Sequence, residues 1–319
     1  MLDKLKKALT LEFISQPSIF GVSETFPLTI AITSINPTSG CTPASNALGK
    51  RIATGCAVKR SDAVFLSMAE AVERYCIQYS DQRIDFLKPI LSTCSTEVEI
   101  SQTKICIGSP GNPNNSSIGS AAGNTIGFAI DKALLECAEH YHIKNNSSNF
   151  ARLDIHKCPP LIEVNNWLRT QLRKLDCFIH ISELGYVTAR CTCSDLNDGR
   201  STVGTATSYN AVEAVFKAAA ESVVFWRNMI SLESNCIDIS LLNNEEKEAI
   251  TYYRGAATRD FIPNTDRTSY DLNTKNHSPP STERLITHLS KLFNSDVHVF
   301  DLTDSLLTIP VVKVHVSTG

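Results

Sequence analysis

The sequence predicts an α/β fold of the α+β kind, with mixed and antiparallel sheets packed against helices, and three observations predict it. Stretches with helical period and stretches with strand alternation both recur along the chain. Two of the helical stretches repeat one acidic pattern, Glu70-x-x-Glu73-Arg74 and Glu136-x-x-Glu139-His140. The length of 319 residues, 42% of them hydrophobic, suffices for one large domain or two closely joined halves.

The elements follow in order. Phe26–Ile35 reads as a strand, and Asn36-Pro-Thr-Ser-Gly-Cys-Thr-Pro after it as a turn. A first glutamate helix is expected from about Ser61 to about Tyr79, with Asp62 near its start. Val64, Met68, Ala71, Val72, Tyr75 and Tyr79 form its apolar stripe, and Glu70, Glu73 and Arg74 lie off the stripe's centre. The Gly/Asn/Ser loop from Gly108 to Asn124 exposes backbone N–H groups and lets a ligand approach closely, but it is not a Walker A loop. A second glutamate helix follows at about Ile126–Ile143. An amphipathic helix at about 160–175 turns Leu161, Val164, Leu168, Leu172 and Leu175 inward.

Three strands come next, at Cys177–Ile181, Tyr186–Cys193 and Ser201–Thr207, with hairpin chemistry in Asp195–Arg200. The third acidic helix, about Asn210–Met229, carries Glu221. Residues 257–283 are polar and Pro-rich and read as a mobile loop. A helix at about 283–293 and strands at Val297–Phe300 and Ile309–Val316 complete the chain.

Composition excludes several classes. A formal net charge of −3 argues against a dedicated nucleic-acid binder. The N-terminal stretch lacks the apolar core of a signal peptide, and no apolar run is long enough to span a bilayer, so a cytoplasmic protein without membrane contact is expected. The 11 cysteines are scattered without a Cys-x-x-Cys. Cys191 and Cys193 share one strand face, His156-Lys-Cys158 lacks a second pair, and reduced, mostly buried thiols are expected. The sequons at Asn114, Asn115, Asn145 and Asn146 carry little weight without a secretory signal.

Residues three apart on a helix share a face, so each Glu-x-x-Glu aims two carboxylates at one point. Two unit charges about 4 Å apart repel by about 4 kcal/mol at an effective dielectric near 20. Drawing the three acidic helices together makes a carboxylate-lined cavity that needs a cation. Mg²⁺, with its preference for oxygen ligands and phosphate co-ligands, is the natural one. A single Glu-x-x-Glu would read as a solvated face; two beside apolar stripes do not. A carboxylate-bridged di-iron site is a further reading of Glu139-x-x-His142, but that design wants a second Glu-x-x-His, which is absent.

Longer motifs carry a family resemblance. Met68-Ala-Glu-Ala-Val-Glu-Arg-Tyr-Cys resembles the first glutamate helix of YcaO-domain proteins. Gly119-Ser-Ala-Ala-Gly-Asn-Thr-Ile through Leu135-Glu-Cys-Ala-Glu is similar to their AGNT segment. Gly204–Glu221 and Ile309–Val316 resemble their third motif helix and a strand near their C-terminal region. The matches run in the family's order over about residues 50–316, within one expected YcaO-like domain at 1–319.

The resemblance implies a YcaO-like fold around a nucleotide cavity, with ATP and Mg²⁺ as cofactors. It implies activation of a peptide backbone amide: a Cys, Ser or Thr side chain adds to the carbonyl, ATP phosphorylates the oxygen, and loss of phosphate leaves a thiazoline or oxazoline. An external sulfide gives a thioamide instead. By the motif match, Glu70, Glu73, Glu136 and Glu139 are the metal and ATP carboxylates. Arg74, Asn124, His140 and Glu221 fall on ATP-contacting positions. The implied partners are a ribosomal precursor peptide of a bacteriocin-like product and an E1-like or leader-binding protein. A flavin dehydrogenase is an optional further component, and a homodimer an optional assembly.

The chain departs from the pattern at named places. Leu66 replaces a Ser, Phe128 a Glu and His140 an Arg, and Val224 or Phe225 stands near an expected glutamine. Its end, Val316-Ser-Thr-Gly, lacks the Pro-x-Pro-x-Pro tail of many azoline-forming members, and no leader-binding extension precedes the motifs. A separate presenting partner is therefore expected. The alternative is a non-catalytic subunit that binds a partner enzyme or the precursor.

Overall fold

Residues 1–20, 25–36, 52–78, 85–108, 116–197, 199–234, 244–256, 264–267 and 278–317 are described by the structure, a computed structural model. The turn after Asn36, Tyr79 at the expected helix end, Asn114, Asn115, residues 109–113 and most of 257–277 lie outside the described residues. The chain divides into two compact units. One comprises Met1–Phe20, Thr29–His140 and Pro280–Gly319, the other Gly21–Leu28 and Tyr141–Pro279.

The first unit opens with helix α1 (Leu2–Thr10), strands β1 (Ser18–Phe20), β2 (Thr29–Ser34) and β3 (Ile52–Ala57), and helix α2 (Arg60–Cys76). Short elements follow: β4 (Phe86–Leu87), β5 (Leu91–Ser92), β6 (Ile100–Ser101) and α3 (Gln102–Ile105). Then come β7 (Ser120–Ala122) and helix α4 (Ile126–Asn145), whose last turn counts with the second unit. The second unit contains β8 (Ala151–Leu153), α5 (Pro159–Thr170), β9 (Arg173–Ile181), β10 (Val187–Asp195), β11 (Ser201–Ser208), α6 (Ala211–Ser234), α7 (Asn244–Thr251) and β12 (Asn264–Arg267). Helix α8 (Thr282–Phe293) and strands β13 (Val297–Asp301) and β14 (Val311–Val316) return to the first unit.

In the first unit the strand orders are β1-β2-β3, β5-β13-β14-β7 and β4-β6, all antiparallel. Its core gathers Leu5, Met68, Val72, Tyr75, Ile105 and Phe300. Burial of a side chain of this size contributes about 1.5–3 kcal/mol each. Helix α2 buries Ala63, Ser67, Met68, Ala71, Val72, Tyr75 and Cys76 on one face, with Asp62 in its first turn and Arg74 in its last matching the helix dipole. It packs hard on β3. A Cβ at Gly55 would stand 2.0 Å from the Ala63 carbonyl oxygen and 2.5 Å from the Ser67 nitrogen, so only glycine allows the approach.

In the second unit one sheet runs β11-β10-β9-β8-β12, with β9, β10 and β11 an antiparallel meander. Helix α6 covers it as α2 covers β3: a Cβ at Gly204 would meet the Ala218 oxygen at 2.2 Å. The described cysteines are free thiols, and Cys191 and Cys193 are both buried on β10. No described helix is long and apolar enough to cross a membrane.

The differences from the sequence reading have local causes. Helix α5 stops at Thr170 rather than near 175, because Leu172 adopts a left-handed φ of 56° and is 57% exposed. Leu175 is buried as expected, but in strand β9. Within the 257–283 loop, β12 adds in parallel to β8. Strand β3 and helix α7 carry no strong local signal, whereas helix α1, not among the expected elements, spaces Leu2, Leu5, Ala8 and Leu9 at the helical period. Helix α1 is held from outside, by burial of Leu5 and Ala8 and by Lys4 and Lys7 bonding to the Thr308 and Leu306 carbonyls.

Candidate functional site

Helix α2 and the strand before it place the first pair of carboxylates. Thr54 on β3 donates its backbone N–H to Glu70 Oε2 at 3.2 Å. Arg74, one turn along α2, holds Glu70 Oε1 at 2.6 Å and the Ile52 carbonyl at 2.5 Å. Glu70 is thus oriented from two sides, and the guanidinium that orients it is itself anchored to the backbone.

Strand β7 joins α2 to α4. Ser120 donates its hydroxyl to Glu73 Oε1 at 2.8 Å and its N–H to Glu136 Oε2 at 3.1 Å, while Ala122 donates its N–H to Glu73 Oε2 at 3.3 Å. The single hydroxyl proton of Ser120 has a second acceptor, the Ser117 carbonyl at 2.5 Å. A protonated Glu73 satisfies both geometries, by donating to Ser120 Oγ while Ser120 donates to Ser117.

The electrostatics agree. Glu70, Glu73, Glu136 and Glu139 are all partly buried: each retains some accessible surface while protein atoms crowd the rest. Burial pushes Glu70 up, against the opposing Arg74 charge and the Thr54 N–H. Burial pushes Glu73 up to about 7, and the Glu70 charge adds to it. Glu136 rises well above the ordinary carboxylate range, through burial and then through repulsion by Glu73 and Glu139. The four acids therefore form one interacting set, short of positive charge.

Lys313 is the cation the sequence reading missed. It is 6% exposed on β14 and donates to the carbonyls of Ser116, at 2.8 Å, and Ile118. Its charge favours ionised Glu136, while burial pulls its own pKa down. A lone lysine inside Pro310-Val-Val-Lys-Val was the available signal, since an unpaired charge is rarely buried. Ser120, inside Gly-Ser-Ala-Ala-Gly, had no such signal.

The remaining expected residues are more scattered. Asn124 is exposed, just before the N-terminus of α4, where Thr125 Oγ1 caps the Phe128 N–H at 3.2 Å. His140 is exposed, and packing together with the Lys313 charge lowers its pKa, so it is a neutral imidazole at neutral pH. Glu221 belongs to the second unit, where the Thr205 N–H on β11 donates to its Oε2 at 2.6 Å. Phe128 and Leu66 are 50% and 39% exposed. The di-iron reading fails: both nitrogens of buried His142 are engaged, Nε2 with the Tyr186 hydroxyl and Nδ1 with Asn146 Nδ2, each at 3.0 Å.

Among the described residues no three His, Cys, Asp or Glu side chains close into a metal cage. An all-oxygen donor set that is open and under-neutralised suits Mg²⁺, which takes one or two carboxylates and fills its shell with water and phosphate. The same arrangement would not suit a structural Zn²⁺.

The model of the YcaO cyclodehydratase family, described as ATP- and Mg²⁺-binding, matches residues 104–318. Among solved structures, a heterocyclase in complex with substrate and cofactor aligns at a TM-score of 0.74 and 15% identity, covering 99% of this chain and 52% of that one. This chain thus spans about half that protein's length. YcaO from Methanopyrus kandleri bound with AMPPCP and Mg²⁺ aligns at 0.67 and 16% identity, over 99% and 90% of the two chains. The E. coli microcin synthetase McbBCD complex with pro-MccB17 bound aligns at 0.62 and 10%, over 95% and 86%. At such identities the likeness is one of fold. No curated protein matches the sequence.

Proposed function

This chain belongs to the YcaO cyclodehydratase family, and from that premise we propose that it activates backbone amides of a ribosomal precursor peptide, closing Cys, Ser or Thr residues to azolines during maturation of a bacteriocin-like product. The observation that carries the reading is the set of Glu70, Glu73, Glu136 and Glu139, the first three oriented by backbone donors and Glu136 repelled by both Glu73 and Glu139. ATP with Mg²⁺ supplies the phosphoryl group that makes an amide oxygen a leaving group.

The chain's residues do the rest. The four glutamates hold the metal, and the raised proton affinity of Glu70, Glu73 and Glu136 is the counterpart of a cation site awaiting charge. Arg74 keeps Glu70 aimed and offers guanidinium N–H groups to phosphate. Asn124 offers an exposed amide near a helix N-terminus, and His140 a neutral hydrogen-bonding imidazole. Glu221 is assigned to the nucleotide on its motif match. A separate E1-like or leader-binding protein presents the peptide, with a flavin dehydrogenase downstream; the fold likeness to a synthetase complex supports a multi-protein setting.

The test is reconstitution with candidate precursor, partner and Mg-ATP. Loss of one water per modified residue, coupled to ATP consumption, is expected. A sulfur-for-oxygen exchange would redirect the reading to thioamide formation. Neither change with every partner supplied would sink both.

The exposed Phe128 and Leu66 favour a second reading, a non-catalytic subunit that binds a partner or the precursor. Calorimetry separates the two: tight Mg-ATP binding lost in Glu70→Gln and Glu136→Gln excludes the second.

A further inference from the structure

The second unit holds a cavity of about 360 Å³ that none of the site glutamates lines. It opens where the β8–β9 ladder ends at Leu153 and Cys177, and α5 forms part of its wall. Its polar lining includes Arg152, His156, Asn165, Arg169, Lys174 and Asp176.

The charges there are unevenly committed. Asp176 takes both Arg152, at 2.6 Å, and Lys174, at 2.9 Å. Asp154 accepts the backbone N–H of His156 at 3.1 Å. Arg169 is exposed, and its guanidinium has neither an ion pair nor a hydrogen bond among the described residues. Asn165 lies one turn before it on the same face of α5 and is 8% exposed. Its Oδ1 accepts the Leu175 N–H at 3.3 Å, which turns Nδ2 the other way, and Nδ2 has no acceptor among the described residues. Asn165 is thus a mostly buried side chain whose amide N–H group remains free to donate. Here it lines a cavity beside an unpaired guanidinium.

We propose that this cavity binds a small ligand through an oxyanion, a carboxylate or a phosphate, with Arg169 and Asn165 Nδ2 as the donors. A guanidinium fork and an amide N–H are both matched by two-oxygen acceptors. The volume falls in the roughly 300–1,000 Å³ range of small-molecule sites and well exceeds the about 30 Å³ share of one water, so the ligand has a body beyond its anionic group. The cavity shares no residue with the glutamate site, and its occupancy stands or falls independently of the amide chemistry.

The test is calorimetry on the full chain with three probes: an N-acetylated tripeptide with a free carboxylate, the same peptide amidated, and glycerol phosphate. Saturable binding of the free acid or of glycerol phosphate is expected, weakened tenfold or more in Arg169→Glu and Asn165→Asp. Arg169 is exposed in the last turn of α5, so Arg169→Glu should lose only one favourable helix-end charge, melt within a few degrees of the wild type and bind Mg-ATP unchanged. The free acid alone binding identifies a carboxylate ligand, glycerol phosphate alone a phosphate ligand. Equal binding of the amidated peptide, undiminished binding in Arg169→Glu, or no saturation by either anion at about 10 mM overturns the proposal.

Discussion

Thr205 donates its backbone N–H to Glu221 at 2.6 Å, across a sequence separation of 16 residues. Thr54 and Glu70 stand in the same relation at the same separation of 16, and so do Ser120 and Glu136. Each donor lies on a strand at the edge of its sheet, β3, β7 or β11, and each acceptor on the helix that follows. An edge strand leaves N–H groups without a ladder partner, and a carboxylate reaching back from the helix satisfies one. The bond consumes part of one oxygen's capacity and orients the other. One strand–helix construction thus recurs three times, each time presenting a glutamate.

The construction predicts where small changes are not tolerated. Gly55→Ala and Gly204→Ala would put a Cβ within 2.0 Å and 2.2 Å of a helix carbonyl oxygen. Each should cost about 1–3 kcal/mol or more, read as a lower urea midpoint with an unchanged slope. A wild-type midpoint in either would contradict the close strand–helix contact.

The carboxylates should trade stability for binding. Glu136→Gln makes permanent the uncharged state that burial and the Glu73 and Glu139 charges favour, so the ligand-free protein should melt at a higher temperature, the gain growing as pH rises. Its affinity for Mg-ATP should fall tenfold or more, about 1.4 kcal/mol. The two readouts must move in opposite directions; a variant that loses both would make Glu136 merely structural.

Glu73 sets a pH dependence. Its folded-state pKa is raised from 4.5 to about 7, so between those values the folded state binds more protons than the unfolded chain. The effect on stability is nil below the unfolded value, becomes unfavourable as pH climbs towards about 7 and is complete above it. The ligand-free melting temperature should therefore decline as pH rises through that window. Mg-ATP binding near neutral pH should release protons, visible as a calorimetric enthalpy that varies with the buffer's ionisation enthalpy. An enthalpy independent of buffer would show that Glu73 is already ionised.

Phe128 offers a gain-of-function check. Its ring is 50% exposed, and Lys132 Nζ lies 5.6 Å from the ring centroid, an exposed contact of about 0.5–1 kcal/mol. Phe128→Glu should fold normally and should lower the Mg²⁺ concentration for half-maximal ATP binding several-fold. An unchanged Mg²⁺ requirement would place residue 128 outside the metal's reach.

The acidic helices α2, α4 and α6 and the meander β9–β11 were legible because their signals are local: helical and strand periods, and hairpin residues at Asp195–Arg200. Glu70 and Glu73, and Glu136 and Glu139, could be paired from spacing alone. The motifs around them named the family and its cofactors. Strands β3 and β12 were not legible, since each is held by a strand elsewhere in the chain, β2 and β8; helix α1 was legible in the spacing of Leu2, Leu5, Ala8 and Leu9 but was not among the expected elements. The continuing leucine period past Thr170 misled for the complementary reason: Leu175 is buried in either conformation, and only the left-handed backbone at Leu172 ends the helix.

The sequence by itself determined which carboxylates face which way, because three-residue spacing on a helix is geometry that the chain carries locally. Only the tertiary structure decided that Ser120 would bridge Glu73 and Glu136, and that Lys313 would be buried beside them. It alone set how far burial raises their pKa values. Desolvation and charge–charge repulsion depend on what packs around a group, and those neighbours, Ser120 on β7 and Lys313 on β14, come from other elements of the chain.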